Sequence, residues 1–341
     1  MSTTALDGSG TSIITTTPGT TGARPGRRPS GLLWLAWRQS RPAILVLTAG
    51  LLLLTVMSLT VHFAVAGQAD VLRSANCTLS GAWNGTNCYK TAERVQVFAA
   101  LYLDVFQPAV TFLPLLIGML LGAPLLAQEL ERGTYRLVWS QSVTPARWLA
   151  ARIGVPMAAV ALTSGVLAVV SSWVWWTDIV HSPVLFDPPF QGFTYPVLGL
   201  MPLSWSLFSF ALGVAIGLWR RRTVSAILLT GLLGLVSMGV MRLLRPALYP
   251  VVSGFQPFDR VHNGFYQPTN AWLVESGPVL ADGTRQPNFC TRDCDSVAGW
   301  WGEFHPSSHL VPIQLIETAV LLLLTAALVA WTFRRLGRLG N

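Results

Sequence analysis

Six runs of 19 to 24 residues with almost no charge dominate this sequence. About 20 helical residues cross a hydrocarbon core that is about 30 Å thick, and in lipid only a helix satisfies the backbone of such a segment internally. The runs are residues 43–66, 108–127, 153–176, 196–219, 223–241 and 310–333. Glu317 is the one Asp, Glu, Lys or Arg within them. The sequence therefore predicts an all-α polytopic membrane protein with six transmembrane helices.

The charge composition agrees with a membrane protein and argues against nucleic-acid binding. Charged residues are 11% of the chain, whereas they are about 25% of a typical soluble domain. The net charge is +8, but the arginines flank apolar runs and form no basic patch interleaved with aromatic residues. Arginine far outnumbers lysine, which occurs only at Lys90, and this usage favours a GC-rich bacterial genome.

The distribution of basic residues predicts the orientation in the membrane. With both termini inside, the inner segments hold 15 Lys and Arg in 78 residues, against 8 in 128 residues outside. This asymmetry follows the positive-inside rule, so both termini are expected in the cytoplasm. Arg242 and Arg245, just outside the fifth run, are the main residues that disagree.

The two ends of the chain are predicted to lie in the cytoplasm. Residues 1–30 are rich in Ser, Thr, Gly and Pro, which predicts a disordered tail, and 334–341 form a short second tail. Residues 31–42 place Trp34 and Trp37 ahead of arginines. This pattern suits an amphipathic helix at the headgroup interface, or else the cytoplasmic end of the first span.

All four cysteines fall in the two long outer segments, 67–107 and 242–309; they are Cys77, Cys88, Cys290 and Cys294. An extracytoplasmic face permits disulfides, and pairing within each segment is the simplest of three connectivities. The spacing of the second pair from His305 and His309 also resembles a zinc site. The oxidising side, and an interfacial loop expected around Trp300, Trp301 and Pro306, favour disulfides, so no metal site is predicted.

The inner segment between the second and third runs has strong helix-end signals. Gly133 is suited to end the helix that carries Glu129 and Glu131, because glycine readily adopts the left-handed conformation. Thr134 is then suited to cap a short helix that reaches about Ser140. Thr144 and Pro145 form a cap and first-turn pair for the third span. The pattern predicts a helix, a break, a short helix and a new span.

Glu131-Arg-Gly133-Thr134, then Leu137 and the stretch Ser142 to Arg147, resembles the corresponding loop of type-2 ABC exporter permeases. In that family an E-x-G-T segment ends the second span and a short coupling helix follows it. The amphipathic start, the six spans and the long outer segment before the last span are also similar. The resemblance implies a type-2 ABC exporter-like bundle whose coupling loop contacts an ATPase subunit through Gln128, Glu129, Glu131, Arg132, Gly133, Thr134, Tyr135, Arg136 and Leu137.

The resemblance also implies a division of labour. No G-x-x-x-x-G-K-[ST] loop is present and the single lysine lies in an outer segment, so ATP and Mg are expected in a separate ATPase subunit. Six spans would form half a pathway, which implies a homodimer or a second permease. The expected role is export of a small or amphipathic molecule across a bacterial cytoplasmic membrane. The alternative is a membrane scaffold or sensor that acts through its outer segments.

Three further features leave their roles open. Glu317, the one acid within a span, is a candidate pathway residue or a structural one, near the outer interface or bonded to a neighbouring helix. Gly118-x3-Gly122 and Gly213-x3-Gly217 permit close helix approach, either between subunits or within the bundle. No catalytic residue is predicted.

Overall fold

The computed structural model describes residues 31–74, 90, 93, 97–98, 100–133, 144–179, 188–190, 192–259, 264–287 and 297–338. Within them, six helices are long and apolar enough to cross a membrane, which confirms the predicted helical fold. These are α1 (Gly31–Ser74), α2 (Leu101–Arg132), α3 (Pro145–Val174), α5 (Met201–Arg220), α6 (Thr223–Leu244) and α7 (Leu310–Gly337). A four-residue helix, α4 (Thr194–Val197), precedes α5.

Helix α1 is continuous from Gly31 to Ser74 and includes Pro42. Residues 31–42 are therefore the first turns of the helix that contains the first span, rather than a separate amphipathic helix. At about 1.5 Å per residue, 44 residues extend about 66 Å, roughly twice the hydrocarbon thickness. The rings of Trp34 and Trp37 are exposed. The Cζ atom of Arg38 lies 5.3 Å from the centre of the Trp34 ring, and that of Arg41 lies 5.8 Å from the centre of the Trp37 ring.

Helix α5 is the centre of the bundle. The most apolar 18-residue stretch of α5 is 83% buried, whereas the corresponding stretch of α1 is 22% buried. Gly118 and Gly122 of α2 face Gly213 and Gly217 of α5, and a Cβ atom added at any of the four would collide with backbone of the other helix. Both glycine motifs therefore pack against each other within one chain. We call this contact the glycine seam.

The two largest clusters of buried side chains among the described residues lie at opposite ends of the bundle. One is built around Tyr102, Trp175, Tyr195 and Ile313 and lies beside the sheet described below; we call this the sheet end. The other is built around Leu126, Leu149 and Leu218 at the opposite ends of the helices. We call it the loop end, because the segment between α2 and α3 begins there. Under the predicted orientation the loop end faces the cytoplasm.

A three-stranded antiparallel sheet lies between α6 and α7. Its strands are β1 (Val252–Pro257), β2 (Trp272–Leu280) and β3 (Val297–His305), in the order β1-β3-β2. Trp301 of the central strand is opposite Phe255 on one side and Gly277 on the other. The interfacial loop predicted around Trp300 and Trp301 is wrong, because both residues lie in β3.

Two aromatic side chains anchor the sheet to the bundle. His305, at the end of β3, is fully buried, and its Nε2 lies 3.1 Å from the carbonyl oxygen of Pro246 just beyond α6. Trp272, paired with His305 in the register, stacks on Phe190 with 5.6 Å between ring centroids. The sheet is therefore attached to the helix bundle at the place where β3 ends and β2 begins. The four cysteines, and hence the predicted disulfides, lie outside the described residues.

Candidate functional site

The loop end begins where α2 stops. Helix α2 ends at Arg132, and Gly133 follows in the left-handed conformation with φ of 68°. Glycine has no Cβ penalty there, which is why this position ends a helix well. Helix α3 then starts at Pro145, with the carbonyl oxygen of Thr144 accepting a bond of 3.1 Å from the Trp148 amide. The end of α2 and the start of α3, which flank the predicted coupling helix, are thus defined.

Glu129 connects three helices at the loop end. Its carboxylate lies 3.0 Å from an Nη atom of Arg152 on α3, and the two side chains are 16% and 13% exposed. Arg152 also donates a hydrogen bond of 2.8 Å to Gln39 on α1. Glu129 therefore faces its own bundle, and its side chain holds α2 in place against α3.

Glu131 has a different task. Its Oε2 accepts bonds from the backbone N–H and the hydroxyl of Thr223, at 2.9 and 2.7 Å. Thr223 is the first residue of α6, so the carboxylate supplies an acceptor and a negative charge where a helix N-terminus needs both. These charge-assisted bonds satisfy a backbone N–H that has no partner within α6. They also hold the start of α6 beside the end of α2.

The other predicted contact residues divide into two groups. Gln128 and Arg132 are exposed at the end of α2, so their side chains are accessible to a partner. Thr134, Tyr135, Arg136 and Leu137 lie outside the described residues. The structure thus brings Glu129 and Glu131 into the bundle's own polar contacts and leaves Gln128 and Arg132 facing outward.

At the sheet end, Glu317 forms a buried ion pair. Its carboxylate lies 3.1 Å from Nε and 3.3 Å from Nη2 of Arg245, and Glu317 is fully buried. A third bond of 3.2 Å comes from the indole N–H of Trp205 on α5. The predicted alternatives for a structural role were a position near the outer interface and a bond to a neighbouring helix. The bond is the one observed, and Glu317 does not reach the surface of the protein.

Arg245 is the partner that sequence reasoning missed. It begins a short 3-10 turn after α6, and its Cζ also lies 3.7 Å from the ring centre of Tyr195 on α4. One signal in the sequence pointed to it: Arg245 disagreed with the charge asymmetry. An arginine at this position, 72 residues before the one Asp or Glu within a predicted span, is readily explained because the two residues pair.

A break in the backbone before α5 was not predicted either. The fourth run was expected to be one helix over 196–219, but α4 ends at Val197 and α5 begins at Met201. Gly199 takes φ of +58°, and Gln314 of α7 donates a bond of 3.2 Å to the carbonyl oxygen of Leu198. The Gln314 side chain thus supplies a partner for a carbonyl group at the point where helical bonding is interrupted.

A cavity of about 480 Å³ lies beside the ion pair. Residues from α2, α5, α6 and the segment before α4 line it, together with Trp272 of the sheet. Its walls are mostly apolar and aromatic, and its charged lining residues are Arg242 and Arg245. A mostly apolar cavity with a few converging polar groups is the usual form of a small-molecule site.

The histidines of the suspected zinc motif are adjacent. The Nδ1 atoms of His305 and His309 lie 3.2 Å apart, and the His309 ring also packs on Tyr249. Cys290 and Cys294 lie outside the described residues, and within the described part of the chain no cluster of three or more metal-ligating side chains is found. Burial lowers the pKa of His305, so its neutral form is favoured in this contact.

Six helices long and apolar enough to cross a membrane, within the described residues, define a multi-pass α-helical membrane protein. The chain belongs to the ABC-2 membrane transporter related family, whose sequence profile matches residues 46–245, more than half of its length. No curated protein and no solved structure matches the chain. The matched range includes the loop end and Arg245, and it stops before the sheet and α7.

Proposed function

We propose that this chain is the permease subunit of an ABC exporter that moves a small or amphipathic molecule out of a bacterial cell. The observation that carries the proposal is the family match over residues 46–245, which contains the end of α2, the start of α3 and the start of α6. A permease of this family implies an ATPase partner. In this proposal the energy comes from that separate subunit, which holds ATP and Mg.

The polar contacts of the loop end support a role in transmitting force. Glu129 ties α2 to α3 through Arg152, and Glu131 ties α2 to the start of α6. A push on the segment between α2 and α3 would therefore reach three helices at once. We assign Gln128 and Arg132 to direct contact with the ATPase subunit. Glu129, Glu131 and Gly133 position the predicted coupling helix that follows.

Affinity purification in mild detergent followed by mass spectrometry tests the proposal. The wild-type chain should recover a P-loop ATPase in fixed stoichiometry. Reversing charge at Glu129 and Glu131 together, each to Lys, should remove most of it, because the coupling segment loses its support. Arg132→Glu should weaken recovery without disturbing the Glu129–Arg152 pair.

A matched control reverses two acids on the sheet. Glu275 and Glu303 are opposite each other on β2 and β3, far from the loop end. Changing both to Lys should leave ATPase recovery unchanged. Recovery of the wild-type chain without any ATPase, while a known ABC complex survives the same detergent, would contradict the proposal.

The sheet favours a second candidate function, a membrane scaffold or sensor. Phe255, Phe258 and Tyr266 present exposed aromatic rings on or beside β1. Exposed aromatic residues are enriched where proteins bind partners. This alternative predicts that deletion of residues 252–305 abolishes partner binding by the sheet. It also predicts that the wild-type chain recovers no ATPase, so the purification experiment separates the scaffold from the permease.

A further inference from the structure

The cavity at the sheet end has an asymmetric composition. Phe190, Trp205 and Met238 contribute apolar surface, whereas Arg242 contributes a guanidinium group. Within the described residues, no acidic side chain lines the cavity. Glu317 lies behind Trp205 and Arg245 and is committed to both. The cavity therefore combines an apolar interior with uncompensated positive charge.

The two arginines differ in their availability. Arg245 uses Nε and Nη2 for Glu317 and lies over the Tyr195 ring, so its charge is neutralised where it stands. Arg242 lies three residues earlier, in the last turn of α6, and both arginines line the cavity. It is exposed, and no ion pair or hydrogen bond of its side chain is found in the part of the chain that the structure describes. Arg242 thus remains able to bind an anion.

We propose that this cavity binds an amphipathic molecule with an acidic headgroup. The apolar part lies against Phe190, Trp205 and Met238, and the acidic group accepts hydrogen bonds from Arg242. Charge-assisted bonds of a guanidinium to phosphate or carboxylate are short, strong and often bidentate. Binding does not rest on the proposed function; only the step that makes the ligand an exported cargo does.

Gly239 provides an independent way to test the position of the ligand. It lines the cavity, and no atom lies within 4 Å of the place where its Cβ would be. Gly239→Leu therefore puts a side chain into the cavity space, and leucine favours the helix more than glycine does. Gly165→Leu on α3 is the matched control, because Gly165 also has open space around it and does not line the cavity.

The experiment measures binding of dodecyl phosphate to the purified full chain in lipid nanodiscs, with dodecyl maltoside as the comparison that has the same alkyl chain and an uncharged headgroup. Wild type should bind dodecyl phosphate at least about tenfold more tightly than dodecyl maltoside. Arg242→Gln should remove that preference, a loss of roughly tenfold or more for a bond to a charged group. Arg242→Lys should retain part of it, and Arg338→Gln, an exposed arginine at the other end of the bundle, should retain all of it.

Gly239→Leu should weaken binding of both amphiphiles, and Gly165→Leu should change neither. Equal affinity of wild type for the two headgroups, or equal affinities of Arg242→Gln and Arg338→Gln for dodecyl phosphate, would overturn the proposal. Unchanged binding in Gly239→Leu would overturn the assignment to this cavity. Circular dichroism and melting of each variant verify that the comparison is made on folded protein.

Two arms identify the source of the natural ligand. An acidic phospholipid recovered in fixed stoichiometry from wild type, and lost from Arg242→Gln, identifies a membrane lipid. ATP-dependent release of dodecyl phosphate from vesicles that also contain the ATPase subunit identifies exported cargo. If the chain binds the amphiphile but recovers no ATPase, the cavity assignment stands and the proposed function is contradicted. If it recovers the ATPase but does not bind the amphiphile, the proposed function stands and the cavity assignment is contradicted.

Discussion

The sheet end and the loop end solve the same problem, holding charged side chains near a membrane, in opposite ways. At the sheet end Glu317 and Arg245 are buried together and joined to α4 and α5. At the loop end Glu131 is exposed, and the Glu129–Arg152 pair keeps some contact with the surroundings. The two arginines are similarly covered, at 11% and 13% exposed, but the Glu317 carboxylate is fully buried whereas Glu129 is 16% exposed. Breaking the pair is costlier where the charge left behind cannot reach water. The sheet end is therefore built to stay fixed, and the loop end to accept new contacts.

Removing one member of the buried pair should have the largest effect. Glu317→Leu leaves Arg245 buried without its counter-ion, and we expect a loss of about 3–5 kcal/mol in the free energy of unfolding. The double variant Glu317→Leu with Arg245→Met should recover much of that loss, since it leaves no unpaired charge. Thermal unfolding in nanodiscs measures both. Glu275→Leu on the exposed face of the sheet is the control, and an equal loss there would refute the distinction.

The glycine seam between the two ends should give the next largest effect. In Gly213→Val the added Cβ would collide with the carbonyl oxygen of Gly118 and the amide nitrogen of Ala123. Overpacking of this kind costs about 1–3 kcal/mol, and more where backbone cannot move. Gly165→Val, where the Cβ meets open space, is the matched control. Equal melting temperatures of the two variants would show that the seam tolerates extra volume.

Breaking the ion pair at the loop end should cost much less. Glu129→Gln removes the charge that faces Arg152, and a partly exposed pair contributes about 0.5–1 kcal/mol. The same thermal measurement should show a small decrease, and raised salt should narrow the gap from wild type. A loss as large as that of Glu317→Leu would make the two ends energetically alike.

Glu131 should have a local effect only. Glu131→Gln weakens the two bonds to Thr223, so the first turn of α6 should open more often. Hydrogen exchange should become faster in residues 223–227 and remain unchanged in the middle of α6. Faster exchange along the whole helix would instead indicate that Glu131 supports the bundle.

The smallest expected effect is a pH dependence at the sheet anchor. Burial holds the pKa of His305 below its ordinary value of about 6.5. The unfolded chain therefore takes up a proton at a higher pH than the folded chain does, so stability is present above about pH 6.5 and falls as the pH decreases below it. His305→Asn should flatten this slope between pH 7.5 and 5.5 in thermal unfolding. An unchanged slope would assign the dependence to other groups.

The sequence predicted the parts of this fold that depend on local pattern. Each apolar run was long enough to need a helix, and Gly133 and Pro145 marked helix ends that the structure also shows. The sheet was not predicted, because the polar and glycine-rich stretches of 242–309 weaken the alternation that identifies strands. The break before α5 was also missed, although Pro196, Gly199 and Pro202 are together an unusual set for a helix interior.

The candidate site was predictable only in part. The residues of the loop end follow from a local motif, but Glu131 bonds Thr223, 92 positions away. Arg245 and Glu317 are 72 positions apart, and nothing in either neighbourhood encodes their distance. The cavity likewise combines side chains from α2, from the segment around α4, from α5 and α6, and from the sheet. Contacts of this kind depend on how helices pack, which the pattern of a single sequence does not specify.

The glycine seam also limits how the molecule can move. Helices α2 and α5 meet backbone to backbone, without side chains whose rotamers could adjust, so sliding or tilting would separate surfaces that have nothing to fill the gap. The two helices should thus travel as one rigid block. Any rearrangement between helices would then take place at the edges of this block, where α3, α6 and α7 pack on it.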